Sequence, residues 1–309
     1  MRTSGTSLAL ALALAAAACD CSGAAAGASP AAWWVGEAGA ARVLAVAADG
    51  RVLDVAAAAP ALDAPVRAVA GRGDGSFVVL QEVAAGAAPG VLVRRDGTRI
   101  ASLAAEGPAG ATLFDADAPP WAAAEAADGR IWVTGRPSPV LYERDGTWAA
   151  TAVPVSQSSA GTRGVAALPD GRVLVTWGAN GAALYAPDGA SVEALAVSVG
   201  AAYSGVDAVA VRPEGGLVLA VLRHGVTTDG VLVDVALGPG SLAATGDPEA
   251  SARLPTLPSA IVATSDAVVA GPALGRHAEA ACAEALSADL RERRGCVVPG
   301  AHRGIAAAR

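Results

Sequence analysis

The sequence predicts an all-β chain of repeated four-stranded antiparallel sheets, and three observations predict it. Short apolar runs repeatedly flank Asp-Gly pairs, a strong hairpin signal because Gly accepts positive φ and Asp can bond its own backbone. The pairs form two interleaved series, one at Asp74, Asp128, Asp170, Glu214 and near residue 265, the other at Asp49, Asp96, Asp145, Asp188 and near residue 238. Each series has a period of roughly 42–54 residues, the length of one four-stranded unit. The best-kept stretch, Val165–Ala196, carries both hairpins, turning at Asp170-Gly171 and Asp188-Gly189. Such a repeat implies a β-propeller of about five four-stranded blades. The stretch AWWVG before Arg42 leaves a sixth open.

Taken in order, the chain opens with Arg2, an apolar run over Leu8–Ala18, and Cys19. That is the pattern of an export signal over 1–18, too short to span a bilayer permanently. Ala16-Ala17-Ala18-Cys19 resembles a bacterial lipobox, with Ala16 where Leu is usual. The resemblance implies a lipid on Cys19 that holds the protein to the periplasmic side of the inner or outer membrane. The alternative is simple cleavage near Ala18, giving a soluble periplasmic or secreted protein. Residues 19–31 read as a small-residue tether and 32–275 as the propeller.

The chain starts on a hairpin of the second series and ends on one of the first. The ring is therefore expected to close with a blade built from both ends, Ser259–Gly271 supplying inner strands and Arg42–Ala56 outer ones. Arg276–Arg294 is rich in Ala, Glu, Leu and Arg and stops at Gly295, which predicts a C-terminal helix within 276–309. Cys282 and Cys296 close a short loop and are expected to form a disulfide in an oxidising compartment.

The net charge is −7, all 22 basic residues are Arg, and no basic run is long, which excludes nucleic acid as a partner. No nucleophile elbow, phosphate loop or Cys/His metal cluster is present. Asp115 and Asp117 form only half of a calcium loop. Arg72-Gly73-Asp74 spells RGD but occupies a turn where the repeat demands Asp-Gly. Trp121, Trp132, Trp148, Trp177, Tyr142 and Tyr185 recur at blade positions and read as inter-blade core.

The texture of ADGRIWVTG (Ala127–Gly135) followed by LYERDG (Leu141–Gly146) resembles NHL-type and gluconolactonase-type propellers, and also the repeats of streptogramin lyases. The resemblance spans about Arg42–Gly271 and speaks to architecture, since one fold hosts many activities. Gluconolactonase-like enzymes hold a divalent metal with acidic residues and asparagines. Here Glu106-Gly107-Pro108 echoes their glutamate motif, but the chain has a single asparagine, Asn180. A lyase-like elimination would need a catalytic His, and His224 is the only histidine in the repeats. The reading is therefore a non-catalytic binding or scaffold propeller with a protein or glycan ligand in the envelope. It assigns no cofactor, metal or catalytic residue, and keeps a lactonase-like or lyase-like enzyme using the central channel as the alternative.

Overall fold

The computed structural model describes residues 32–37, 39–58, 61–84, 86–153, 161–178, 181–223, 230–254, 257–272, 282–299 and 302–307. The expected signal peptide, Cys19, the tether and His224 lie outside the described residues. Ala31–Arg309 forms one compact unit.

Strands β1 (Trp33–Glu37), β2 (Arg42–Val46) and β3 (Val52–Ala58) open the chain. Next come β4 (Val66–Gly71), β5 (Phe77–Gln81), β6 (Gly90–Val93) and β7 (Arg99–Ser102), an antiparallel meander. A second meander holds β8 (Ala123–Glu125), β9 (Ile131–Val133), β10 (Val140–Tyr142) and β11 (Trp148–Thr151). The opening hairpins of Val165–Ala196 become β12 (Thr162–Ala167), β13 (Val173–Trp177), β14 (Gly181–Tyr185) and β15 (Ser191–Ser198). Then follow β16 (Tyr203–Val211), β17 (Leu217–Arg223), β18 (Gly230–Gly238) and β19 (Ser241–Ala244), with β20 (Arg253–Leu254) clipped onto β18. Outer strands β15 and β19 pair in parallel and join two meanders into a nine-stranded sheet. The last meander is β21 (Pro258–Ala263), β22 (Ala267–Pro272), β23 (Cys282–Ser287) and β24 (Arg293–Pro299), after which β25 (His302–Ala307) returns to pair with β1.

Two expectations are corrected. The described part of the expected helix, 282–294, is strand, turn and strand, and residues 276–281 lie outside the described residues. The unpaired edge of β22 takes β23 as its partner, Val268 facing Leu286, and Cys282–Cys296 covalently ties β23 to β24. Tertiary pairing thus overrides local helix propensity. Its turn mimics the Asp-Gly turns: Asp289 accepts from the Arg291 amide at 3.2 Å, and Leu290 takes the glycine's place at φ 62°. The second correction concerns closure. The closing sheet runs β25-β1-β2-β3, so the C-terminus supplies one inner strand from His302–Ala307, while Ser259–Gly271 starts the preceding sheet.

The seven Asp-Gly turns share one geometry. The Oδ1 atoms of Asp49, Asp74, Asp96, Asp128, Asp145, Asp170 and Asp188 each accept from the amide two residues on, at 2.9–3.0 Å. The glycine after each has φ between 81° and 93°, whereas no Asp has positive φ. These are type I turns closed by a glycine bulge, not the primed two-residue turns that also need positive φ at the Asp. The two series differ in what the glycine touches. A Cβ on Gly171 would meet nothing within 4 Å, whereas one on Gly97 would lie 2.6 Å from the Ala56 carbonyl oxygen of the preceding sheet, and one on Gly146 2.8 Å from that of Ser102. The glycines of the outer turns back onto the preceding sheet; Gly75, Gly129 and Gly171 of the inner turns do not.

Both faces of each sheet are covered, which explains fully buried strands such as FVVLQ in β5 and GAALY in β14. The core is a series of layers between successive sheets. Trp34 stacks on Phe77 at 4.9 Å between the first two sheets, and Trp132 meets Tyr185 at 5.4 Å further on. A last layer of Trp33, Val35 and Ile305 against Val269 and Val298 closes the circle. Trp132, Tyr142 and Tyr185 are core, as expected. Inner strands β4, β8, β12, β16, β21 and β25 each contact the next in that order, and β25 contacts β4 again.

Candidate ligand mouth of the central channel

The inner strands surround a channel of about 1000 Å³, walled mainly by small and apolar residues such as Ala68, Ala124, Val165 and Ala208, with Glu125, Asp128, Arg144 and Arg212 lining it at one end. In an antiparallel meander the tight turns 1–2 and 3–4 share one end, and the longer connections share the other. The channel therefore has a turn end and a loop end.

At the turn end, two arginines latch neighbouring sheets. Arg72 is buried at 2% exposure, contacts Glu125 of the next inner strand at 3.2 Å, and donates to the Arg144 carbonyl at 3.2 Å. Arg212, at the same place two sheets further from Glu125, bonds Asp234 at 2.8 Å and the Ala288 carbonyl at 2.7 Å. A charge buried this deeply is retained only with such partners. The RGD triplet is accordingly structural: its arginine faces inward.

The loop end is built differently. Inner strands carry β-bulges at the same level, and the extra residue is polar. Val66 pairs Gln81 and Ala68 pairs Leu80, leaving Arg67 over. In the same way Asp207 is left over between Val206 and Ala208, and Ser259 between Pro258 and Ala260. On β12 the register slips between Thr162 and Val165, across Arg163-Gly164. Bulges re-aim side chains without ending the strand. Here they bring together groups from four successive inner segments. The guanidinium carbon of Arg163 lies 3.7 Å from the centroid of the Trp121 ring, and that of Arg67 lies 5.5 Å from it. Asp207 comes next around the ring; burial pushes its carboxyl above the usual carboxylate range, against the pull of Arg163.

Buried threonines hold this arc in place. Thr134 accepts from the Ala122 amide at 3.1 Å, Thr162 donates to the Arg136 carbonyl at 2.7 Å, and Thr176 accepts from the Gly164 amide at 3.0 Å. Gly164 is required there, because a Cβ would sit 2.6 Å from the Thr176 Oγ1. Beside the arc, Glu249 lies between Arg223 and Arg253 at 3.7 and 3.6 Å. Burial, with the Glu249 contact, pushes the Tyr203 phenol up to about 12.

The residues singled out from sequence fall elsewhere. Asp49, Asp74, Asp96, Asp128, Asp145, Asp170 and Asp188 serve their turns. Glu106 bridges to Thr112 within its loop, and Asp115 accepts from the amides of Asp117 and Ala118. Among the described residues no three His, Cys, Asp or Glu side chains group as metal ligands. Trp121, expected in the core, belongs to the mouth, where Arg163 covers it. Sequence reasoning missed Arg67, Arg163 and Asp207. The available signal was their shared offset in the inner strands VRAVAG, TRGVAA and VDAVAV, a polar residue just ahead of a small-apolar run.

No known family model matches the chain, and no curated protein matches it. Solved structures do. A protein of unknown function from Bacteroides caccae aligns at TM-score 0.63 with 14% identity, covering 91% of this chain and 100% of its own. A chain of a nidogen–laminin complex aligns at TM-score 0.61 with 13% identity over 90% of this chain and 98% of its own. A gluconolactonase from Xanthomonas campestris aligns at TM-score 0.54 with 20% identity over 79% and 84%. A catalytically inactive virginiamycin B lyase from Staphylococcus aureus also aligns at 0.54, with 12% identity over 76% and 72%. At such identities the likeness concerns the fold and not the activity. Ring, meanders and neighbours agree on one conclusion: this chain is a β-propeller.

Proposed function

We propose that this chain is an exported, non-catalytic binding protein of the bacterial envelope: a six-bladed propeller held at the periplasmic side of a membrane by a lipid on Cys19, taking its ligand at the loop-end mouth. The cyclic contacts of six inner strands support the count of six blades. The binding reading rests on the arc of Arg67, Trp121, Arg163 and Asp207, which gathers charge and an aromatic face one residue ahead of the channel-lining positions Ala68, Ala122, Gly164 and Ala208. Such convergence of a few polar groups on an apolar cavity is how ligand sites are built. The ligand is a protein segment or glycan presented in the envelope.

A thermal-shift screen of full-length protein against anionic, neutral and cationic small molecules, peptides and sugars tests this, with each hit assayed for turnover. Binding without turnover is expected. Conversion of any hit to product would overturn the reading in favour of a lactonase-like or lyase-like enzyme, and a screen without hits would overturn it outright. The anchor is tested separately, since Cys19→Ser should move the protein from the membrane fraction to the soluble one.

A further inference from the structure

We infer that the mouth binds a carboxylate whose apolar substituent enters the alanine-walled channel. This rests on the binding reading above and names its ligand class. Guanidinium groups offer planar, paired donors that match a carboxylate in two-point contact. Arg67 and Arg163 both lie within cation–π distance of one indole, which orients their planes before any ligand arrives. Because they project from bulges on β4 and β12, the two cations stand on rigid strands and not on loops. Asp207 adds one carboxylate that feels the Arg163 charge, so the arc's two guanidiniums and one acid leave a balance suited to a monoanion. Directly below the arc the wall is mainly apolar, with Ala68, Ala208, Val209 and Ile261, and the charged lining residues Glu125, Asp128, Arg144 and Arg212 stand at the far turn end, so the part of a ligand next to its carboxylate meets apolar surface. The channel's volume of about 1000 Å³ is at the upper end of ligand cavities and accepts a short chain or a small apolar side chain.

Two sources share this chemistry, a free alkyl carboxylate and a peptide C-terminus ending in an apolar residue. Isothermal titration of full-length protein with hexanoate, with hexanol, with N-acetyl-Ala-Ala-Leu and with its C-terminal amide separates them. Saturable binding of the acids, with no binding of hexanol or the amide, is expected. Hexanoate and the peptide acid binding alike indicates that the carboxylate and apolar tail suffice, while a tighter peptide points to a protein C-terminus. Arg163→Gln should weaken the acids at least 10-fold, and Arg163→Lys, which keeps the charge but loses the fork, by less. Arg172→Gln, on the turn end, should leave them unchanged. Should Arg163→Gln fail to fold, Arg67→Gln and Trp121→Phe carry the same comparison.

The inference is overturned if hexanol matches hexanoate, if the Arg163 and Arg172 variants weaken binding equally, or if glucuronate binds more tightly than either apolar acid. If no acid binds while the broader screen yields hits, the ligand class is wrong and the binding reading stands. If nothing binds in either experiment, both fall.

Discussion

Replacing Gly97 by Ala tests the claim that the outer turns are where adjacent blades lock. Gly97 has φ 81°, and its missing Cβ would lie 2.6 Å from the Ala56 carbonyl oxygen and 3.6 Å from the carbonyl carbon. The obstacle is backbone within a paired strand, so it cannot rotate away. Gly171→Ala is the matched control, because Gly171 has φ 87° and an added Cβ would meet nothing within 4 Å. Both substitutions carry the cost of a side chain in the left-handed region, about 1 kcal/mol. Gly97→Ala adds overpacking between sheets, about 1–3 kcal/mol more. For a chain of this size each kcal/mol lowers Tm by about 2–4 °C, so Gly171→Ala should lose about 3 °C and Gly97→Ala about 6–12 °C. Circular dichroism melts of the two variants beside the unaltered protein decide it. Equal losses would refute the reasoning, since φ alone would then account for both.

Removing 302–309 takes away β25, which leaves the Trp33–Glu37 edge unpaired; size-exclusion chromatography should show aggregation in place of the unaltered protein's compact species. Cys282→Ser, or reduction of the Cys282–Cys296 bridge, should cost about 3 kcal/mol on chain-entropy grounds, read as a drop in Tm in paired melts with and without reductant. The turn carboxylates predict acid sensitivity. The Thr98 amide holds Asp96 low, the Thr147 amide Asp145, the Arg172 side chain Asp170 and the Ser287 hydroxyl Asp289. Their contribution is full above the unfolded value of about 3.9 and is lost as pH falls through the lower folded values. Asp207 has the opposite sign, because its raised carboxyl penalises the folded state at neutral pH and not in acid. Asp207→Asn should therefore raise Tm at pH 7 and change it little near pH 4; a loss at both would show that the carboxylate is stabilising.

What the sequence made legible was local. Asp170-Gly171 and its counterparts encode a turn within four residues, so each hairpin could be read without knowing its neighbours. The turn at Asp289-Leu290 uses the same geometry but lacks the glycine, and Leu290 is held there by burial, at 1% exposure among Ile261, Leu254 and Leu286. Stripped of that punctuation, the surrounding Ala, Glu and Leu residues look helical. The missed turn also hid the final meander, which is why Ser259–Gly271 was expected in the closing blade. The mouth was harder for another reason. Arg67 and Arg163 are 96 positions apart in sequence (163 − 67) and reach the same indole only through the closure of the ring. Their common register becomes visible once the inner strands are aligned on the runs after them, and the chemistry of their meeting does not.

The strand that completes the first sheet is the last of the described strands in chain order. Until residues 302–307 leave the ribosome, the hydrogen-bonding edge of Trp33–Glu37 has no native occupant. Individual meanders can form as they emerge, yet the ring itself cannot close during synthesis. Its closure draws together strands more than 250 positions apart in sequence (302 − 37 = 265). Loop-closure entropy grows only as the logarithm of length, so this delay costs little stability while governing when the protein becomes folded.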